Sequence, residues 1–164
     1  MTAQQALQLA TDHPWNVPAI YAHLRLSDLY LDDLTVAENH LLAAQPLIET
    51  LGLPHLRYRW LERYGRVRRR QGQDAEAQTL LEAAIAEIER LRSRLAQESF
   101  RVSFLQDKVM AYEELVQLFL SRGDLPSLQQ AFVVTEKAKS RALVDLMNGV
   151  VTAQVQAQSE TLQQ

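Results

Sequence analysis

The sequence predicts an all-α chain: antiparallel helix pairs stacked into a short α-solenoid, about three pairs following a lone N-terminal helix. Three observations carry that reading. Small residues recur in one spacing, as Ala37-x3-Leu41-x2-Ala44, Ala77-x3-Leu81-x2-Ala84 and Ala131-x3-Thr135-x2-Ala138. On a helix these offsets put all three side chains on one face, where small groups admit a neighbouring helix. The copies lie 40 and 54 residues apart, and helical recurrence at a few tens of residues marks a repeat array. Finally, β-branched runs of period two are absent, and the five glycines and five prolines are few.

The elements follow in order. Residues 2–12 carry Ala6, Leu7, Leu9 and Ala10 and stop at His13-Pro14, which suits half of a helix pair. Asn16 can cap the next helix, with Pro18 in its first turn. That helix holds Ile20, Leu24, Leu26, Leu29 and Tyr30 and ends at Asp32-Asp33. A second runs from Leu34 to Leu51, with Gly52 as its stop, Pro54 barring continuation and a kink expected at Pro46. A third spans His55 to Arg70, and Gln71-Gly72-Gln73 turns the chain. Asp74 caps a long fourth helix reaching toward Ala96. Ser103-Phe-Leu-Gln106 fits a capping box for a fifth, which ends at Arg122-Gly123. The sixth follows Pro126, continues to about Met147 and stops at Asn148-Gly149. Residues 1–149 thus read as one helical repeat domain. Residues 150–164, rich in Gln, Ser and Thr, read as a fraying tail or helix extension. Short connections make neighbouring helices antiparallel, and stacking supplies the core that a single pair lacks.

Composition narrows the function classes. A formal net charge of −3 offers no general attraction to nucleic acid or anionic membrane. With no cysteine, disulfides, thiolate metal sites and cysteine nucleophiles are excluded from this chain. Met1-Thr-Ala-Gln-Gln lacks the basic start of a signal peptide, and no apolar run is long enough to span a bilayer, so a soluble cytoplasmic protein is expected.

Helix three contains Leu61-x2-Tyr64-Gly65, followed in its partner by Ala77, Leu81 and Ala84. This resembles the tetratricopeptide repeat, whose first helix reads W-x2-L-G-x2-Y. Leu61 stands for the aromatic, Tyr64 for the Leu and Gly65 for the Gly. Arg68, where the family prefers Tyr, is a departure. Tyr112-x2-Leu115-x3-Phe119-x3-Gly123, with Val116 replacing the Gly, and Leu26-Ser27-x2-Tyr30 supply two further degenerate copies. The resemblance implies a tetratricopeptide-like α-solenoid with a concave groove.

Residues 104–146 carry a second resemblance, through Phe104-Leu105, Tyr112-Glu113-x-Leu115-Val116-x-Leu118, Gly123 and Glu136-Lys-Ala-Lys-Ser-Arg-Ala-Leu-Val-Asp-Leu146. This is similar to the last repeat before the CHAT domain, a caspase-related fold, in bacterial proteins that join tetratricopeptide repeats to it. Only 18 residues follow Leu146, so the chain reads as the repeat arm alone. The resemblance implies that Lys137, Lys139 and Arg141 form a junction transmitting groove occupancy to an effector. Their other reading is ordinary basic residues near a helix C-terminus, where they favour the dipole.

Arg57, Arg59, Arg63, Arg66, Arg68, Arg69 and Arg70 crowd into helix three, and Arg59, Arg63, Arg66 and Arg70 form one stripe. In the tetratricopeptide register, Arg59, Arg66, Arg69 and Arg70 line the groove. Guanidinium forks pair bidentately with carboxylates, so an acidic peptide or a C-terminal carboxylate suits them. The alternative is a solvated face with local ion pairs such as Glu62 to Arg66. Tyr21, Leu24 and Asp28 from the first pair, and Met110, Glu113 and Gln117 from the third, complete the expected groove.

His13, His23, His40 and His55 show no i, i+4 pairing and no ligand-spaced carboxylate, so no metal site is expected. No nucleophile elbow, phosphate loop or HExxH occurs, so neither an enzyme nor a cofactor is expected. Trp15 and Trp60 read as packing residues, Trp15 being the more exposed. The chain therefore reads as a protein–protein interaction module that binds a peptide or protein segment. The runner-up is an assembly element forming homo-oligomers through its solenoid ends, and nucleic-acid binding by the arginine helix is weaker still.

Overall fold

The computed structural model describes residues 16–94 and 109–140. Among them every regular element is a helix: α1 (Asn16–Leu29), α2 (Leu34–Leu51), α3 (Pro54–Arg70), α4 (Asp74–Ser93), α5 (Val109–Arg122) and α6 (residues 125–140). The all-α reading therefore holds. The expected lone N-terminal helix, Trp15, the Ser103 capping box, the far end of the fourth helix, Arg141 and the tail at 150–164 lie outside the described residues.

The helix boundaries have local causes. α1 ends at Leu29, earlier than the expected Asp32-Asp33, and Tyr30 N–H closes the turn onto Leu26 O at 3.0 Å. Asp33 caps α2 by accepting from Val36 N–H at 3.2 Å. At the other end Gly52 takes φ +59° and returns its N–H to Ile48 O, a left-handed stop that a side chain would strain. The helix continues unbroken through Pro46. Pro46 and Leu42 both face solvent, so water can satisfy the Leu42 carbonyl that proline leaves without a donor. Pro54 opens α3 at its first position, where its missing N–H costs nothing. Asp124 caps α6, accepting Ser127 N–H on Oδ1 and the Ser127 hydroxyl on Oδ2, each at 2.9 Å. Those two bonds hold its carboxyl below the usual range.

The chain divides into two compact units, Met1–Ile88 and Glu89–Gln164. In the first, α1 packs on α2, α2 on α3, and α3 back on α1, the adjacency expected of stacked antiparallel pairs. Ile20, Leu24, Ala37, Leu41, Ala44, Ile48, Leu56, Tyr64 and Val67 form its core. Trp60 packs against that core and donates its indole N–H to Leu41 O at 2.8 Å, tying α3 to α2. In the second unit Ala111, Tyr112, Leu115, Leu118, Phe119, Ser127 and Ala131 are buried, and the Tyr112 hydroxyl meets Glu89 Oε1 at 2.7 Å.

The small-residue spacing does the work predicted of it in two of three places. Ala37, Leu41 and Ala44 are fully buried, as are Ala77, Leu81 and Ala84. The third copy is looser: Ala131 is buried, while Thr135 and Ala138 are half-buried. Gly65 shows why bulk is excluded. A Cβ there would sit 2.7 Å from Leu81 Cγ and 2.9 Å from its Cδ2, inside van der Waals contact. Leu81 is itself fully buried, so its branch point cannot swing aside.

Gly65→Ala therefore reverses the usual sign. In an open helix interior the change gains about 1 kcal/mol. Here overpacking is expected to cost about 1–3 kcal/mol, read as a lower urea midpoint. Combined with Leu81→Ala, the cost should fall short of the sum of the two single changes.

Candidate functional site

α3 alternates between burying and bearing charge. Leu56, Tyr58, Leu61, Tyr64, Gly65 and Val67 go inward, and the arginines flank them. What the arginines meet decides what this face can bind. Arg63 places Nε and Nη2 on Asp28 Oδ2 at 3.1 and 3.0 Å, a fork onto one oxygen of an α1 residue. Arg66 reaches Asp28 Oδ1 at 3.4 Å and Glu62 Oε1 at 2.6 Å. Glu62 also lies 3.6 Å from Arg63 Nη1, which donates to Arg59 O at 3.1 Å. Two carboxylates and two guanidiniums thus cancel within one cluster joining α1 to α3.

This brings Asp28, Glu62, Arg63 and Arg66 together as expected, but it changes their role. They pair with one another and are not a row of open cations. Glu62 is only 6% exposed, and burying its charge is tolerable because both arginines face it. The i, i+4 pair of Glu62 with Arg66, the alternative reading, is present.

Arg68, the departure from the repeat pattern, forms a second hub. Its Nη2 lies 2.7 Å from Glu38 Oε1 on α2, and its Nε lies 3.3 Å from Glu76 Oε2 on α4. Nη1 donates to Gln71 Oε1 and Gln73 Oε1, each at 2.8 Å. The guanidinium stands 4.6 Å from the Tyr64 ring centroid and also bonds the phenol oxygen. Burial pushes the Tyr64 phenol up, against the opposing pull of Arg68. Gln71 Nε2 completes the ring by donating to Glu38 Oε2 at 2.8 Å.

The other expected groove residues divide. Leu24 is a correction: it is 2% exposed and belongs to the core, because its position on α1 faces α2 and α3. Tyr21, one turn earlier on α1, is 39% exposed. Arg59 is half-buried, 5.8 Å from the Tyr58 ring centroid, and its covered Nε has no hydrogen-bond partner among the described residues. Arg69 is half-buried, and exposed Arg70 donates to Leu31 O at 3.3 Å. Met110, Glu113 and Gln117 are exposed on α5, in the second unit. Lys137 and Lys139 are exposed on α6, with Lys139 lying 3.3 Å from Glu136.

One pairing escaped the sequence reading. His23 on α1 and His40 on α2 bring their Nδ1 atoms to 3.1 Å. Tyr30 stacks on His40 with centroids 5.9 Å apart. Burial lowers both imidazole pKa values, and His40 lowers that of His23 further. The signal was not local: 17 residues separate the two, and only the pairing of α1 with α2 unites them.

No family model matches the chain, and neither the curated proteins nor the solved structures contain a match to it.

Arg68→Met strands Glu38 without its guanidinium and is expected to cost about 2 kcal/mol of stability. Arg70→Met, on the open surface, should stay within about 0.5 kcal/mol, and denaturant titration of both variants separates the two cases. For the histidines, the unfolded rings protonate near the ordinary value of 6.5 while the folded rings stay neutral to lower pH. The unfolded chain then binds more protons, so stability should fall as pH drops through that window. In chelator-treated samples, thermal melts from pH 7.5 to 5.5 should show this slope, and His40→Gln should flatten it.

Proposed function

We propose that this chain is a protein-interaction module that takes a peptide or protein segment on the face where α3 lies against α1. The observation that carries this reading is Arg59. Its Nε is covered and lacks an acceptor among the described residues, while the nearby carboxylates of Asp28 and Glu62 are committed to Arg63 and Arg66. A buried donor in that condition has capacity for an acceptor from outside, and a carboxylate is the strongest one. Arg70 and the exposed Tyr21 ring add a second cation and an apolar surface. The neutralised centre narrows the partner: binding rests on one or two acidic contacts, not on a long acidic run. The resemblance of Glu136 to Leu146 to the repeat preceding a CHAT domain supports a setting as the sensor arm of such a protease system, with Lys137 and Lys139 near its junction.

A second reading has its own support. On α6, Leu125, Leu128 and Phe132 fall at i, i+3 and i+7 and are 69%, 42% and 67% exposed. An apolar row of that kind favours self-association.

Titrating the full chain with length-matched acidic and basic peptides tests the proposal. Preference for the acidic peptide, weakened about tenfold or more by Arg59→Ala plus Arg70→Ala with helicity unchanged, is the expected result. Equal binding of both peptides, or none, removes the groove. A light-scattering mass that rises with concentration and reverts with Phe132→Ser would favour assembly instead.

A further inference from the structure

The His23–His40 pair has the geometry of a chelate. Two imidazole nitrogens bound to one first-row metal at about 2.0–2.1 Å lie about 2.9–3.3 Å apart, the range spanned by square and tetrahedral angles. The Nδ1 atoms stand 3.1 Å apart, within that range, before any movement. The rings are tilted 47° to one another, so their nitrogens need not share one plane. Both residues are half-buried. Tyr30 stacks on His40 and restrains its ring, and α1 and α2 hold the two backbones. Among the described residues no third His, Cys, Asp or Glu joins them, so the site is a two-ligand one with open coordination.

The geometry points to His23 and His40 as a bidentate transition-metal site, taking Zn²⁺, Ni²⁺ or Cu²⁺ through both Nδ1 atoms. Imidazole nitrogen selects these ions over Mg²⁺ and Ca²⁺, which require oxygen. In the metal-free protein the same atoms share one hydrogen bond, one ring donating and the other accepting. On metal binding the donor ring moves its proton from Nδ1 to Nε2 through solvent, so both rings are neutral Nε2–H tautomers whose Nδ1 lone pairs take the ion and clasp the first helix pair. Affinity should follow the ligand-field order, with Cu²⁺ above both Ni²⁺ and Zn²⁺.

The experiment titrates chelator-stripped full-length chain with each metal alone by calorimetry, alongside nitrogen-detected NMR of the histidine rings. One-to-one binding that perturbs the Nδ1 resonances of His23 and His40, and that either His23→Gln or His40→Gln weakens at least tenfold, is the expected outcome. His55→Gln, which alters an exposed histidine, should leave the affinity unchanged. Mg²⁺ should give no signal. Binding that survives the double His23→Gln/His40→Gln change would overturn the site. So would ring shifts confined to His13 and His55 in the unaltered chain, a readout that does not depend on the variants folding.

Discussion

Helix α3 is held from three directions, and Arg68 is the side chain that reaches two of them at once. It contacts Glu38 on α2 and Glu76 on α4 while lying over Tyr64 of its own helix. An aromatic residue at this position would supply contact area alone. A guanidinium supplies directional bonds, and directional bonds fix a register that apolar packing leaves looser. The close approach of α4 at Gly65 depends on that register, because a small slide would set Leu81 against a neighbouring side chain instead of a bare Cα. Close packing and charge are therefore coupled through one helix.

The same economy governs the other arginines. Seven in a single helix would repel if left open, so the fold supplies acidic partners from elsewhere in the chain. Asp28 comes from α1 and Glu87 from α4, and Glu62 comes from α3 itself. The pairs of Asp28 and Glu62 with Arg63 and Arg66 are largely covered, whereas Arg57 is mostly exposed and little stability is expected from its contact with Glu87. Much of the charge that the sequence concentrates on α3 is thus paired in space.

What could be read in advance followed from local periodicity. Ala37, Leu41, Ala77 and Leu81 announced their burial through spacing alone, and Gly52 announced its left-handed stop. Gly65 was legible as a point of close approach because a repeat pattern places a glycine there. Leu24 was misjudged because a register assignment one helix away does not say which side of α1 faces inward. The pairing of Asp28 with Arg63 and Arg66, of Glu38 with Arg68, and of His23 with His40 lay beyond reach for a different reason. They join residues 17 to 38 positions apart, and such contacts exist only once helices have been docked.

Trp60 gives the first unit an optical handle. Its indole N–H is committed to a main-chain oxygen of α2, and its ring leans on Tyr64, 5.2 Å away and tilted by 49°. Loosening the seam between α2 and α3 would release that N–H to solvent and carry the ring into a more polar medium. In a Trp15→Phe background, the emission colour of the one remaining indole therefore gauges whether these two rods remain joined.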